Sequence, residues 1–140
     1  MHKRMRLFWL LLAFASVVSA CSGESTDPSA NELIPATISV AGDAAKGEAL
    51  FAERCTICHN STSEQLVGPG MAGVMTKGGP VHPAGVSYGG TLPNGTERSE
   101  ENVAAWIRVG GSGQIGVMSP QEMSDAEMAD LLAYLRTLTK

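Results

Sequence analysis

Apolar residues along this chain form one dense early block and then three stretches with helical spacing, separated by polar and glycine-rich segments. Helical spacing begins at Gly42-Asp43. With Asp43 as N-cap, residues 44–54 read as a helix in which Gly47, Leu50, Phe51 and Arg54 share a face at i, i+3, i+4 and i+7. Gly47 leaves a notch in that face. A glycine inside a helix costs about 1 kcal/mol, so its presence predicts another backbone packed closely against it. A second helix is expected over residues 100–109, capped by Ser99, with Glu100 and Glu101 in the first turn where the helix dipole favours negative charge. Val103, Trp106 and Ile107 form its inward stripe, and Gly110-Gly111 end it. The third is the best marked: Ser124-Asp125-Ala126-Glu127 is a capping box, and Met128, Leu131, Leu132, Leu135 and Leu138 repeat with helical spacing to the C-terminus. No segment alternates as a strand does. The expected class is all-α, three main helices with long loops, with room for a short helix near residues 71–75.

Two segments resist this description. Residues 78–95 are crowded with Gly and Pro, including Gly78-Gly79-Pro80, His82-Pro83, Gly89-Gly90 and Pro93-Asn94-Gly95, so the loop should either be disordered or wrap something. Three helices and long loops supply a thin apolar core, which an embedded cofactor would complete. The early apolar block, residues 7–18, follows Lys3, Arg4 and Arg6 and precedes Ser19-Ala20, the arrangement of a secretory signal. It is shorter than the roughly 20 residues a membrane span needs, which disfavours an uncleaved anchor helix.

Cys21 follows directly, and Val18-Ser19-Ala20-Cys21 resembles the bacterial lipobox, whose cysteine is acylated and becomes the new N-terminus. The expected organisation is a signal over residues 1–20, a flexible lipid-anchored tether over 21–41 and one folded domain over 42–140. A coil of about 20 residues spans roughly 25 Å, enough for a domain to swing above a membrane. The location implied is the periplasmic side of a bacterial membrane. Removing Lys3, Arg4 and Arg6 leaves seven Lys and Arg against fourteen Asp and Glu, a formal charge of −7. That excludes a nucleic-acid partner, which needs a basic footprint, and favours one with a positive docking patch.

The chemistry lies at Cys55-Thr56-Ile57-Cys58-His59, the C-x-x-C-H signature of c-type haem attachment. Two thiols add to the haem vinyl groups, and the histidine ligates the iron. A zinc site would need further ligands, with His82 and carboxylates alone remaining. A thioredoxin-like motif should follow a strand, and this one follows a helix. A disulfide leaves His59 without a role.

From Gly42 to Leu138 the chain resembles the class I, monohaem cytochrome c family: Gly42-Asp43-Ala44-Ala45-Lys46-Gly47 through Phe51 to Cys55 is similar to its N-terminal helix, and Leu131 and Tyr134 to its C-terminal one. The resemblance implies that these helices cross with Gly47 at the contact and the aromatics interlocked beside it. It also implies that Pro69, in Gly68-Pro69-Gly70, accepts a hydrogen bond from His59 and orients it. It implies a methionine ligand in the loop before the last helix, and Met118 occupies that loop, although Ser119 separates it from Pro120 where the family usually has proline next. Met123 is the main rival and Met71 or Met75 a distant one, while His82 or an open site completes the alternatives. Trp106 is expected to pack in the core with its indole N–H free for a haem propionate, and Arg108 either to neutralise a propionate or to be a solvated helix charge.

Iron held by His59 and Met118 would have no free position and would carry single electrons between redox proteins of the cell envelope, without being an enzyme. An open sixth site would instead make a gas sensor or a peroxidase. A fixed haem subunit of a larger respiratory or dehydrogenase complex is the remaining reading.

Overall fold

The computed structural model describes residues 41–140; the expected signal, Cys21 and nearly all of the tether lie outside the described residues. Helix α1 spans Ala44–Arg54, α2 spans Glu100–Val109 and α3 spans Asp125–Thr137, each starting where its capping residue dictates. Asp43 Oδ1 accepts from the N–H groups of Ala45 and Lys46 at 2.9 and 3.4 Å. Ser99 accepts from Asn102 N–H at 3.2 Å. At α3 the capping box closes in both directions: Glu127 N–H donates to Ser124 Oγ at 3.2 Å, and Ser124 N–H donates to Glu127 Oε2 at 2.8 Å. Leu138, expected within α3, is its C-cap.

Helix α1 lies across α3, and two glycines set how closely. A Cβ on Gly42 would run into the Ala129 carbonyl, and one on Gly47 into the Asp130 carbonyl and to 2.8 Å from Tyr134 Cβ. Asp43 N–H donates to Asp130 Oδ1 at 2.6 Å, so the start of α1 is fastened to the same turn of α3. One turn further on, Phe51 and Tyr134 meet with ring centroids 5.5 Å apart and planes tilted by 53°, a favourable edge-biased geometry. Phe51, Val103, Ile107, Met128, Leu131 and Leu135 join the three helices into one core, each such burial contributing roughly 1.5–3 kcal/mol. Ion pairs fasten the rim. Arg136 clasps Glu100 through two bonds of 2.6 and 2.9 Å, and the pairing holds the Glu100 carboxyl below its ordinary range. Arg54 reaches Glu127 at 3.0 Å, and Arg108 reaches Asp125 at 2.7 Å. Arg108 is thus a helix-to-helix ion-pair partner rather than a free solvated charge. These pairs face water and contribute at most about 1 kcal/mol each.

Two local expectations change. Residues 71–75 form turns and no helix, because Gly73 has φ +77° and its N–H donates instead to the Leu138 carbonyl at 2.6 Å. Strand β1 (Gly111–Ser112) pairs antiparallel with β2 (Val117–Met118), Gly111 opposite Met118. Strands of two residues are too short for alternation to be read, and this pair depends on Gly110 and Gly111 turning the chain back with φ +66° and +146°. The Gly- and Pro-rich loop over residues 78–95 lines the cleft described below and is held from the β1–β2 turn by Gln114, whose Nε2 donates to the Ser87 carbonyl and whose main-chain N–H donates to Tyr88 Oη, both at 2.6 Å.

Replacing Gly47 by Ala should destabilise the folded protein by roughly 1–3 kcal/mol in denaturant titration, since overpacking against backbone outweighs the gain of about 1 kcal/mol in helix propensity. Gly78→Ala, where the nearest atom to a Cβ is Lys140 Nζ at 3.8 Å, should have little effect.

Candidate functional site

The end of α1 feeds directly into the site. Cys55 N–H donates to the Phe51 carbonyl at 2.9 Å, and the Cys55 carbonyl then accepts from both Cys58 N–H and His59 N–H at 3.0 and 2.8 Å. This tight turn brings Cys55, Cys58 and His59 to the wall of one cleft of about 360 Å³. Cys55 and Cys58 are not joined in a disulfide. Burial pushes the Cys55 thiol up, with Arg54 opposing, so it is neutral around pH 7.

The chain then doubles back, with Gly68 N–H donating to the Cys58 carbonyl at 2.8 Å. That delivers Pro69 to His59, whose Nδ1 lies 2.9 Å from the Pro69 carbonyl. A carbonyl only accepts, so this bond puts the imidazole proton on Nδ1 and leaves the Nε2 lone pair available to a metal. The ring rests on Gly68, where a Cβ would stand 2.8 Å from Nδ1 and closer still to Cε1. No side chain fits there. The apparent turn residue is therefore part of the histidine's seat.

Helix α2 and the short strands supply another part of the wall. Gly110 lets the chain reverse so tightly that a Cβ there would meet the Met118 carbonyl, and Gln121 N–H donates to the Ile107 carbonyl at 3.0 Å. Met118, half-buried on β2, packs against the core and lines the cleft. Trp106 also lines it, half-buried, with Gly111 against its ring: a Cβ there would come within 2.8 Å of Cζ3. Trp106 thus packs against the core, as expected, and is also cleft wall.

Cys55, Cys58, His59, Pro69, Trp106 and Met118 all line the same cleft, as do the rivals Met71 and His82. Met123 and Met75 do not line it; both pack against the core. For Met123 this is the staple position, next to the Ser124 cap and against the core that Met128 fills. Among the described residues no three His, Cys, Asp or Glu gather as a metal site of their own, which removes the zinc reading there. No described helix is long and apolar enough to cross a membrane.

Arg98 and Tyr88, which no sequence motif singles out, line the cleft too. Each carries a signal: a cation just before a helix N-terminus is disfavoured by the dipole, and Tyr88 is the one Phe, Tyr or Trp in a loop of Gly and Pro. The cleft as a whole is walled by Phe51, Val74, Leu92, Val103, Ile107 and Leu131, with two thiols and an oriented imidazole on its lining and a guanidinium at a polar end. A flat apolar macrocycle attached through two thioethers and ligated by one imidazole fits this donor set.

The family model described as Cytochrome c matches residues 44–139. The chain is 30% identical over 101 residues to a cytochrome c-553-like protein of Synechocystis sp., covering 72% of this chain and 74% of that one. Its fold is similar to the solved structure of cytochrome c2 from Rhodospirillum centenum, with a TM-score of 0.50 and 25% identity over 71% of this chain and all of that one.

Gly68→Ala should push the imidazole off the Pro69 carbonyl. The expected outcome is loss of the slowly exchanging Nδ1–H resonance of His59 in the proton NMR spectrum and destabilisation by about 1–3 kcal/mol.

Proposed function

Because this chain belongs to the cytochrome c family, we propose that it is an exported, lipid-anchored monohaem carrier whose iron is held between His59 and Met118. The family's fold, its one covalent haem c and its electron-transfer role hold for this chain. Bound haem supplies an iron that gains and loses one electron.

The observation that carries the ligand assignment is that the histidine oriented by Pro69 and the half-buried Met118 line one cleft, whereas Met123 does not. Cys55 and Cys58 are the attachment thiols, and Pro69 fixes the His59 tautomer. Gly68 gives the ring its room, and Trp106 closes the wall beside Met118. Ile57, Val67 and Val117 are 79%, 69% and 76% exposed although they line the cleft. They form an apolar rim on which a redox partner excludes water, and the acidic charge of the chain selects a partner whose surrounding patch is positive. Cys21 is the lipid attachment point and residues 21–41 the tether, confining encounters to the envelope.

Substituting Met118 with Ala should abolish the weak far-red sulfur-to-iron band of the oxidised protein, lower the reduction potential and open the reduced iron to carbon monoxide. Met123→Ala should do none of these. Loss of the band in Met123→Ala would move the ligand to Met123 and keep the carrier. An unmutated protein that lacks the band and binds carbon monoxide readily would replace the carrier by the sensor or peroxidase.

Cys21→Ala, expressed with its signal, should release soluble holoprotein from membranes on fractionation. Undiminished membrane retention of a normally processed variant would defeat the anchor.

A further inference from the structure

The turn between β1 and β2 is fastened to a distant loop by a residue that does not itself line the cleft. Gly113 N–H donates to the Gly116 carbonyl at 2.8 Å and closes the turn. Gln114, exposed at its tip, reaches 26 and 27 positions back along the chain. Its Nε2 donates to the Ser87 carbonyl at 2.6 Å, its Oε1 accepts from Ser87 N–H at 3.4 Å, and its main-chain N–H donates to Tyr88 Oη at 2.6 Å. One side-chain amide thus takes both polar groups of the Ser87 main chain, as a neighbouring strand would. Gly113 lets the loop come this close, since a Cβ there would stand 2.6 Å from Tyr88 Oη and 2.9 Å from Pro93 Cβ. At Gly116, the other end of the turn, nothing among the described residues lies within 4 Å of a Cβ position. The turn is therefore gripped on its Gly113–Gln114 side.

Met118 follows Gln114 by four residues in the same hairpin, opposite Gly111. A pair of two-residue strands restrains it weakly, because isolated hairpins are marginal in water. Burial adds little, with Val117 76% exposed and Met118 half-buried. Beyond Met118 the chain is pinned by Gln121 N–H on the Ile107 carbonyl at 3.0 Å. Ahead of it, among the described residues, the turn over residues 113–116 makes hydrogen bonds outside the hairpin through Gln114 alone. The loop it grips is firmly seated: Leu92 is buried, Thr91 bridges to Glu97, and Leu92 N–H donates to the Thr96 carbonyl at 2.9 Å. Gln114 ties a loosely held segment to a firm one.

We propose that Gln114 is a positioning residue for the sixth iron ligand: its grip on Ser87 and Tyr88 keeps the hairpin closed and Met118 at the cleft, and so sets how easily an outside molecule reaches the iron. The inference rests on the reading of Met118 as that ligand. A small fraction of molecules has the hairpin detached and the sixth position open, and each hydrogen bond lost from the latch enlarges that fraction. The apparent affinity for an outside ligand scales with it. The latch thereby holds the chain to electron transfer and away from ligand binding at the iron. Because Gln114 does not line the cleft, replacing it leaves the lining intact, and a change at the iron has to pass through the hairpin.

The test is an optical titration of the oxidised holoprotein with imidazole at one fixed pH, following the far-red sulfur band, with amide hydrogen exchange at Gly113 measured alongside. Gln114→Ala removes the two side-chain bonds. It should raise the apparent imidazole affinity about tenfold, since one hydrogen bond is worth a factor of roughly 2 to 12 in an equilibrium, and should speed Gly113 exchange by a similar factor. Without imidazole its sulfur band should remain. Tyr88→Phe, which keeps the ring and removes the Oη acceptor, should raise the affinity as well, and the two changes together should exceed either alone. Gln65→Ala, at an exposed glutamine elsewhere on the chain, should match the unmutated protein. Faster Gly113 exchange in Gln114→Ala with no gain in imidazole binding would overturn the proposal, because the hairpin would then open without freeing the iron. An equal gain in Gln65→Ala would overturn it too. The two readings fail apart: a sulfur band absent from the unmutated protein removes the Met118 ligation on which the latch rests, whereas a band present with imidazole affinity unchanged in Gln114→Ala removes the latch and keeps the ligand.

Discussion

Everything in this fold hangs on how closely α1 lies against α3. With a glycine at position 47, the α1 backbone comes up against the Asp130 carbonyl and the Cβ of Tyr134. That distance brings Phe51 and Tyr134 into ring contact, and it aims the last turn of α1 at the cleft. The cysteines and His59 follow with no loop between them and the helix, so an error in the crossing would displace the attachment site directly. A core of three helices has few ways to absorb such an error. Leu131 and Leu135 serve both as the α3 side of that core and as cleft wall.

Around that rigid pair the site is assembled from segments with little regular structure, and main-chain reversals do the positioning. Gly68 is needed because an imidazole ring rests on it; Gly110 and Gly111 are needed because the chain turns back sharply after α2 and brings Met118 to the cleft. Gln114 links the two loops, holding the main chain at Ser87 and the hydroxyl of Tyr88. The long loop is ordered by these hydrogen bonds and by burial of Leu92, which reconciles a composition poor in regular structure with a single conformation.

Charge is distributed by role. The carboxylates of Glu100, Asp125 and Glu127 fasten helix to helix at the solvent rim, where arginines meet them. Arg98, by contrast, is turned toward the cleft with carbonyl partners alone. That asymmetry separates the cations that tie helix to helix from one held by main-chain carbonyls.

The attachment motif, the three helices, their caps and the notch at Gly47 were legible because each is a local fact: a spacing, a capping residue, a glycine where helix propensity argues against one. So was the competition between Met118 and Met123, since both sit in the segment before α3. Which of the two lines the cleft was not legible, because that is a property of the folded chain. The turn at residues 71–75 escaped for a similar reason, its backbone bonding to Leu138 at the far end of the chain. The short strands escaped because two residues carry no period. Arg98, His82 and Tyr88 lie 6 to 16 positions apart in a stretch without regular spacing, and only the tertiary fold gathers them. The sequence by itself determined what is covalent and what is periodic; the tertiary structure decided which distant side chains meet, because that depends on every segment at once.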